Sequence, residues 1–169
     1  AVASPRLRQW TARRLSGHSR GSVARLFDAV GRSTNPAVIA DLLQGFIEGL
    51  DTVNVETIPE SARTVSVRLI EHDARQVRLP ALTVAAAIGD EAAVQRIRHV
   101  LHDGKQDEPT RLAALTGLAN RTPPQFADDL RSLIASAQLT TAALRVSGGF
   151  NNAALLQTIL TRYPKFSAD

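Results

Sequence analysis

The chain of 169 residues contains no cysteine and no methionine. The absence of cysteine excludes disulfides, thiolate metal sites, cysteine nucleophiles and CxxCH haem attachment within these residues. Aromatic residues make up only 4% of the chain, so aliphatic side chains must supply its core. Alanine and leucine in quantity favour closely spaced helices, because both lead the helix-propensity scale. These shortages predict an all-α protein.

Long apolar runs and the common catalytic motifs are missing too. The longest apolar candidate, Ala81 to Ile88, is too short to span a bilayer, so we expect no membrane insertion. Residues 1–15 lack the apolar centre of a signal peptide. The sequence has no GxSxG, HExxH or GxGxxG motif. We therefore predict a chain that is not an enzyme, with no catalytic residue and no cofactor.

Positive charge is concentrated at one end. Residues 1–32 hold seven arginines and one acid, Asp28, which leaves a formal charge of +6, whereas the remainder sums to −2. Such an end can face phosphates or an acidic protein surface. The alternative, which we favour, is a solvated helix face, or an end that is separated here from its acidic neighbour. The candidate surface for an anionic partner consists of Arg6, Arg8, Arg13, Arg14, Arg20 and Arg25.

Three stretches of the second half share one pattern: VRLPALTVAAAIGDEAAVQRIRHVL, TRLAALTGLANRTPPQFADDLRSLI and TTAALRVSGGFNNAALLQTILTRY. Ala81-Leu82 recurs as Ala114-Leu115 and as Ala143-Leu144, at steps of 33 and 29 residues. The second half of each unit keeps these steps and aligns Ile97, Leu130 and Ile159, then Leu101, Ile134 and Tyr163. A period near 30 with two short amphipathic helices per unit is typical of an α-solenoid.

The predicted fold is a right-handed, armadillo-like α-solenoid of HEAT-like helical hairpins, with about ten helices in about five pairs. We treat residues 1–169 as one domain, with less regular helices in 1–72 and three aligned hairpins in 76–162. The last apolar face has no polar capping helix behind it and the chain begins at Ala. We therefore expect the chain to be a fragment of a longer one.

Several element boundaries follow from capping residues. Ser4-Pro5 and Asn35-Pro36 each combine an N-cap with a proline that suits the first helical position. Trp10 falls on an apolar stripe of the first helix and is expected to anchor the core. Gly45 and Gly49 indicate a close helix contact. Three further signals predict a helix that starts late or bends at Pro80, a last helix that ends at Tyr163-Pro164, and a helix rather than a strand at 63–68.

Two groups of polar residues have a spacing that could form a metal site or a pair of functional carboxylates. His99, His102 and Asp103 lie at i, i+3 and i+4 on one helix, which is the spacing of a partial metal site. No further ligand is evident, and histidines at a helix C-terminus also interact favourably with its dipole, so we predict no metal. Acidic pairs such as Asp128-Asp129 fall in first helical turns, where the dipole explains them.

Three runs carry a resemblance to a known family: ARLFDAVGRSTNPAVIADLLQGFIEGL, RLAALTGLANR and TTAALRVSGGFNNAALLQTILTRYPKFSAD. They resemble HEAT-like repeats and, more closely, the helical region of the bacterial PVC-type haem-binding CxxCH proteins. Members of that family are exported proteins, often labelled membrane-bound dehydrogenases, with a β-propeller, HEAT-like repeats and a c-type cytochrome module. Their haem ligands lie in the CxxCH motif, which this cysteine-free chain lacks, so no functional residue carries over.

The resemblance implies an exported or periplasmic helical spacer between propeller and cytochrome, without redox chemistry of its own. The favoured hypothesis is accordingly a scaffold that contacts flanking domains of the same parent chain. The runner-up is a nucleic-acid-binding repeat that resembles HEAT-like DNA glycosylases in outline and uses the arginine-rich end. Against it stand a near-neutral remainder and only two lysines. A weaker third option is an enzyme subunit whose chemistry lies on a partner.

Overall fold

The computed structural model describes residues 4–53, 58–136 and 139–166. This part of the chain is all-helical, with ten α-helices, one 3-10 turn (Leu50–Thr52) and no strand. None of these helices has both the length and the apolar character needed to cross a membrane. In chain order the helices are α1 (Pro5–Ser16), α2 (Arg20–Arg32), α3 (Pro36–Glu48), α4 (Glu60–Leu69), α5 (Arg75–Ile88), α6 (Glu91–His102), α7 (Glu108–Arg121), α8 (Phe126–Ala135), α9 (Thr140–Ser147) and α10 (Ala153–Phe166).

Side-chain caps explain where several helices begin. Ser4 Oγ accepts a hydrogen bond from the Leu7 N–H at 3.3 Å, and Pro5 occupies the first helical position. Asn35 Oδ1 accepts from Ala37 and Pro36 follows it in the same way. These two starts are confirmed. Each cap satisfies a first-turn N–H group that has no partner within the helix, so the local sequence determines these starts.

Two predicted boundaries at prolines are wrong. Helix α5 begins at Arg75, five residues before Pro80, and continues through it to Ile88. The missing N–H of Pro80 deprives only the carbonyl of Gln76, in the first turn, of a partner, so the helix need not start late. Helix α10 runs past Tyr163 to Phe166. The stretch 63–68 belongs to α4, as predicted.

Many of the helix contacts join a helix to the second helix after it in the chain. Helix α1 packs on α3, α3 on α5, α5 on α7, and α7 on α9; we call these five helices the odd row. On the other side α2 packs on α4 and α8 on α10. Contacts between neighbours in sequence, such as α4 with α5 and α6 with α7, join the two sides.

Small residues let the odd row pack closely. A Cβ added at Gly45 of α3 would overlap the backbone of Gln9 and lie 2.8 Å from the Cβ of Ala12. A Cβ added at Gly49 would overlap Ser16 Oγ in the same way. The predicted close helix contact at these glycines is confirmed, and its partner is α1. At the interface between α5 and α7, a Cβ added at Gly117 of α7 would lie 2.8 Å from the Cβ of Ala86 on α5.

The core consists of two clusters that share α5. Val77, Ala81, Val84 and Ile88 of α5 belong to the cluster built from α1 to α5. Leu82, Ala85 and Ala86 belong to the cluster built towards α10. Both clusters are mainly aliphatic, as the composition predicts, so α5 is the element that joins the two halves.

Candidate interaction surfaces

A shallow open groove of about 620 Å³ crosses four successive helices of the odd row, and we call it the odd-row groove. Helix α1 contributes one residue to it, and α3, α5 and α7 contribute about two turns each. Its lining includes Gln9 from α1, Gln44 and Ile47 from α3, Gln76, Leu79, Pro80 and Thr83 from α5, and Pro109, Leu112, Ala113 and Thr116 from α7. The groove is mostly apolar and 40% of Leu112 is exposed. A surface of this kind suits a polypeptide partner better than a small polar substrate.

Polar groups in the odd-row groove are few. The side-chain amides of Gln44 and Gln76 are exposed and make no hydrogen bond to any residue within the described ranges. Asp41 is the one acid in the lining, and Arg8 holds it through an Nε–Oδ2 hydrogen bond of 2.9 Å. Gln9 donates to its other oxygen at 3.1 Å. The groove therefore offers free amides and a neutralised carboxylate.

The arginines of the candidate anionic-partner surface do not all lie together. Arg8 is half-buried in its ion pair with Asp41, which withdraws it from the surface. The other five are exposed, and none forms an ion pair with a residue that the structure describes. Two of them, Arg13 and Arg14, come together at the C-terminal end of α1. The charge pattern thus located a basic surface but could not separate Arg8 from it.

A second open groove of about 560 Å³ lies beside Arg13 and Arg14, and we call it the tryptophan groove. One wall is the end of α1 and the other is the end of α3. It is lined by Trp10, Arg13, Arg14, Gly17, His18, Glu48, Gly49 and Asp51. The guanidinium carbon of Arg14 lies 5.4 Å from the centroid of the Trp10 ring, in a cation–π contact. The groove thus combines an aromatic ring with two arginines on the α1 wall and two carboxylates, Glu48 and Asp51, on the other.

Trp10 is 58% exposed, so the prediction that it anchors the core is wrong. The physical reason is the close contact of α1 with α3. Helix α1 buries its small residues, Ala12 and Ser16, where the glycines of α3 leave room for them. Leu7 and Trp10 of α1 then face outwards. The signal was present in the sequence as small residues spaced four apart on both helices.

Two of the three residues with the spacing of a partial metal site, His102 and Asp103, form contacts with other protein groups. His102 Nε2 lies 2.9 Å from Asp129 Oδ1 on α8. Asp103 accepts a hydrogen bond from the Lys105 N–H at 2.9 Å, which lowers the pKa of its carboxyl. Within the ranges given above, no group of three or more His, Cys, Asp or Glu residues is arranged to hold a metal ion. His102 and Asp103 therefore point to different partners.

Asp129 lies in the first turn of α8, as predicted, but its burial was not predicted from the sequence. Its neighbour Asp128 is exposed in the first turn of α8, as expected, but Asp129 is only 3% exposed. Arg98 of α6 donates from Nε and Nη2 to its two oxygens at 2.8 and 2.9 Å. This hydrogen bonding raises the pKa of Arg98. The pair joins two helices, which a pattern within one helix cannot reveal.

Several other arginines bind carbonyls at the ends of neighbouring helices. Arg111 Nε donates to the Leu101 carbonyl of α6 at 2.8 Å, from a buried position. Arg121 of α7 donates to the Ala86 and Gly89 carbonyls at the end of α5. The last carbonyls of a helix lack partners within it and carry its negative dipole end, so these arginines stabilise the packing.

Comparison with protein-family models, with curated proteins and with solved structures gives no match for this chain. The functional proposals below therefore rest on the two grooves, the basic surface and the repeat pattern.

Proposed function

We propose that this chain is a non-catalytic scaffold that binds a polypeptide in the odd-row groove. The observation that carries the proposal is that one mostly apolar groove crosses α1, α3, α5 and α7. A groove that spans successive helices of a row offers an extended partner a repeated contact at each step. Stacked helical repeats provide surfaces of this type for protein binding.

The proposal includes a right-handed, HEAT-like α-solenoid as the architecture. Two observations support it: the next-but-one contacts of the odd row and the sequence period near 30 residues. In a solenoid each unit covers the apolar face of the unit beside it, so contacts remain between neighbours. The contacts of α5 with α3 on one side and α7 on the other follow that rule.

The proposed partner is a flanking domain of the same exported parent protein. The resemblance to the PVC-type CxxCH proteins supports a propeller-like or a cytochrome-like domain as that partner. The free amides of Gln44 and Gln76 are suited to pair with the backbone N–H and C=O groups of a bound segment. Leu112 and Ile47 are suited to contact its apolar side chains.

Calorimetric titration tests the proposal with purified propeller-like and cytochrome c domains from the same parent gene. The groove variant is Leu112→Glu, and the matched control is Leu156→Glu on α10, because both leucines are exposed (40% and 57%) and only Leu112 lines the groove. We expect the unmodified chain and the control to bind equally, and the groove variant to bind at least about tenfold more weakly because a charge is desolvated in the contact.

Two results would contradict the scaffold role. One is the absence of binding to either flanking domain. The other is equal binding by the groove variant and the control, which would move the contact off the odd-row groove. Electron transfer between the two domains, measured with and without this chain, then shows whether the bound state matters for the parent protein.

A further inference from the structure

We propose that the tryptophan groove binds single-stranded nucleic acid, with a base stacked on Trp10 and phosphates held by Arg13, Arg14 and Arg20. This function goes beyond the scaffold role and uses a different surface. The feature that points to it is an exposed aromatic ring on an open groove, beside two exposed arginines that form no ion pair with a described residue. Proteins that bind single strands combine a basic groove with aromatic side chains on which bases stack.

The charge around the groove suits a polyanion. Arg13 and Arg14 line it, both are exposed, and neither forms an ion pair with a residue of the described ranges. Arg20 begins α2 only two residues after His18, so its Cα lies within about 7.6 Å of the Cα of that lining residue. Arg20 lies outside the groove lining, so in the proposed complex it binds the phosphate that follows those at Arg13 and Arg14.

The aromatic ring is held in place for stacking. Arg14 lies over Trp10 at 5.4 Å, which fixes the ring on the surface by a cation–π contact. Because 58% of Trp10 stays exposed, ring area remains for a base. An exposed tryptophan is unfavourable in water, and stacking on a base would remove that apolar surface from the solvent.

The second wall of the groove determines how a strand would lie. Glu48, the last residue of α3, and Asp51, in the 3-10 turn that follows, are exposed carboxylates without an ion pair to a described residue. They repel phosphates, so the sugar–phosphate backbone must follow the arginines on the other wall. The base then points between Trp10 and the carboxylates, which can accept hydrogen bonds from its N–H groups. Only an unpaired base offers both a free face and free N–H groups, so a duplex should bind more weakly.

Trp10 is the only tryptophan of the chain, so its fluorescence reports on the groove directly. The experiment titrates the full chain with an oligo(dT) of about ten nucleotides, a length within the usual site size, at about 20 mM salt. We expect saturable quenching of Trp10 emission and weaker binding of a duplex of equal length. Three phosphate contacts predict a slope of about −2 for log K against log salt.

Three variants separate stacking from charge, with binding followed by the anisotropy of a labelled oligonucleotide. Trp10→Ala should bind roughly 5- to 150-fold more weakly, the range that loss of one stacked base gives. Arg13→Gln should reduce the salt slope by about 0.7. The matched control is Arg25→Gln, an exposed arginine outside the groove, which should leave the slope near that of the unmodified chain. Circular dichroism checks that each variant stays helical.

Four outcomes would overturn the proposal. They are no binding at about 20 mM salt, binding without a change in Trp10 emission, equal affinity of Trp10→Ala and the unmodified chain, and full competition by poly-glutamate. The last result would show a surface for acidic proteins instead of a nucleic-acid site.

Discussion

Asp129 shows how one side chain can join two elements. Its carboxylate is buried between α6 and α8, where Arg98 binds both oxygens and His102 approaches one of them. Buried charges are costly unless they are paired and hydrogen-bonded. Because Asp129 is 3% exposed, removal of its charge leaves Arg98 without the partner that offsets its own desolvation.

Asp129→Asn is therefore expected to destabilise the fold by about 1.5–3 kcal/mol, the range for hydrogen bonds to charged groups. The matched control is Asp28→Asn, because Asp28 also pairs with an arginine, Arg32, but both side chains are more than half exposed. The control should change stability by less than about 0.5 kcal/mol. Urea unfolding measures the free energy of unfolding of both variants. Equal losses would mean that the buried pair contributes no more to stability than the exposed pair.

Asp107 provides a pH-dependent contribution at the start of α7. The Thr110 N–H donates to its carboxylate at 2.8 Å, and this bond together with Arg75 and Arg78 lowers its pKa below the usual 3.8. A lowered folded-state pKa stabilises the fold at pH values above the unfolded pKa. That stabilisation is lost as the pH falls through the folded pKa.

Asp107→Asn keeps a capping side chain but removes the titration. Near pH 6 the free energy of unfolding of this variant should be lower than that of the unmodified chain. The two free energies should converge as the pH falls below about 4. An NMR titration of the Asp107 carboxyl carbon checks the cause directly. A midpoint at or above 3.8 would contradict the account.

At the scale of the element, glycine governs the contact between α1 and α3. Alanine is better than glycine in a helix by about 1 kcal/mol, so a glycine there needs a packing reason. At Gly45 the reason is the backbone of Gln9 and the Cβ of Ala12. At Gly21 in α2 the nearest atom to an added Cβ is the Ser19 Oγ at 3.9 Å, so no such reason exists.

Gly45→Ala should destabilise the protein by about 1–3 kcal/mol, because α1 must move away to accept the methyl group. Gly21→Ala should leave stability unchanged or raise it by up to about 1 kcal/mol. Thermal unfolding of the two variants is the measurement. A stabilised Gly45→Ala protein would show that α1 does not pack closely on α3.

The sequence predicted helix type and helix starts well, because caps and periodicity act within a few residues. Ser4 and Asn35 cap the helices that follow them, as predicted. The sequence-based prediction failed where contacts with a neighbouring helix determine whether a side chain faces the core or the solvent. Trp10 faces outwards because Gly45 and Gly49 lie against Ala12 and Ser16, and Asp129 faces inwards because Arg98 lies on the adjacent helix.

At the scale of the whole molecule, α5 links two core clusters. If each unit contacts only its neighbours, a substitution that destabilises one cluster should destabilise the other cluster less, because α5 is the shared element. Leu130 of α8 and Leu43 of α3 are both fully buried, one in each cluster, and form a matched pair for this test.

Each leucine-to-alanine change should cost about 2–5 kcal/mol. Native-state hydrogen exchange should show faster exchange mainly in α6–α10 for Leu130→Ala and mainly in α1–α4 for Leu43→Ala, with α5 affected by both. Uniform acceleration across the chain in both variants would instead indicate one cooperative unit.

The candidate sites were only partly predictable at this scale. The excess of arginine in residues 1–32 located the basic surface, because charge can be counted. The odd-row groove combines residues from Gln9 to Thr116, which no local pattern connects. It exists because the odd-row helices pack side by side, and the order of that packing is a property of the assembled chain.

The packing order of the odd row is the claim on which both the proposed solenoid and the odd-row groove depend. A NOESY spectrum of the labelled chain tests it most directly at two contacts. The account predicts cross-peaks between the Ala12 methyl of α1 and the Gly45 Hα of α3, and between the Ala86 methyl of α5 and the Gly117 Hα of α7. Absence of both cross-peaks from a folded, helical sample would contradict it.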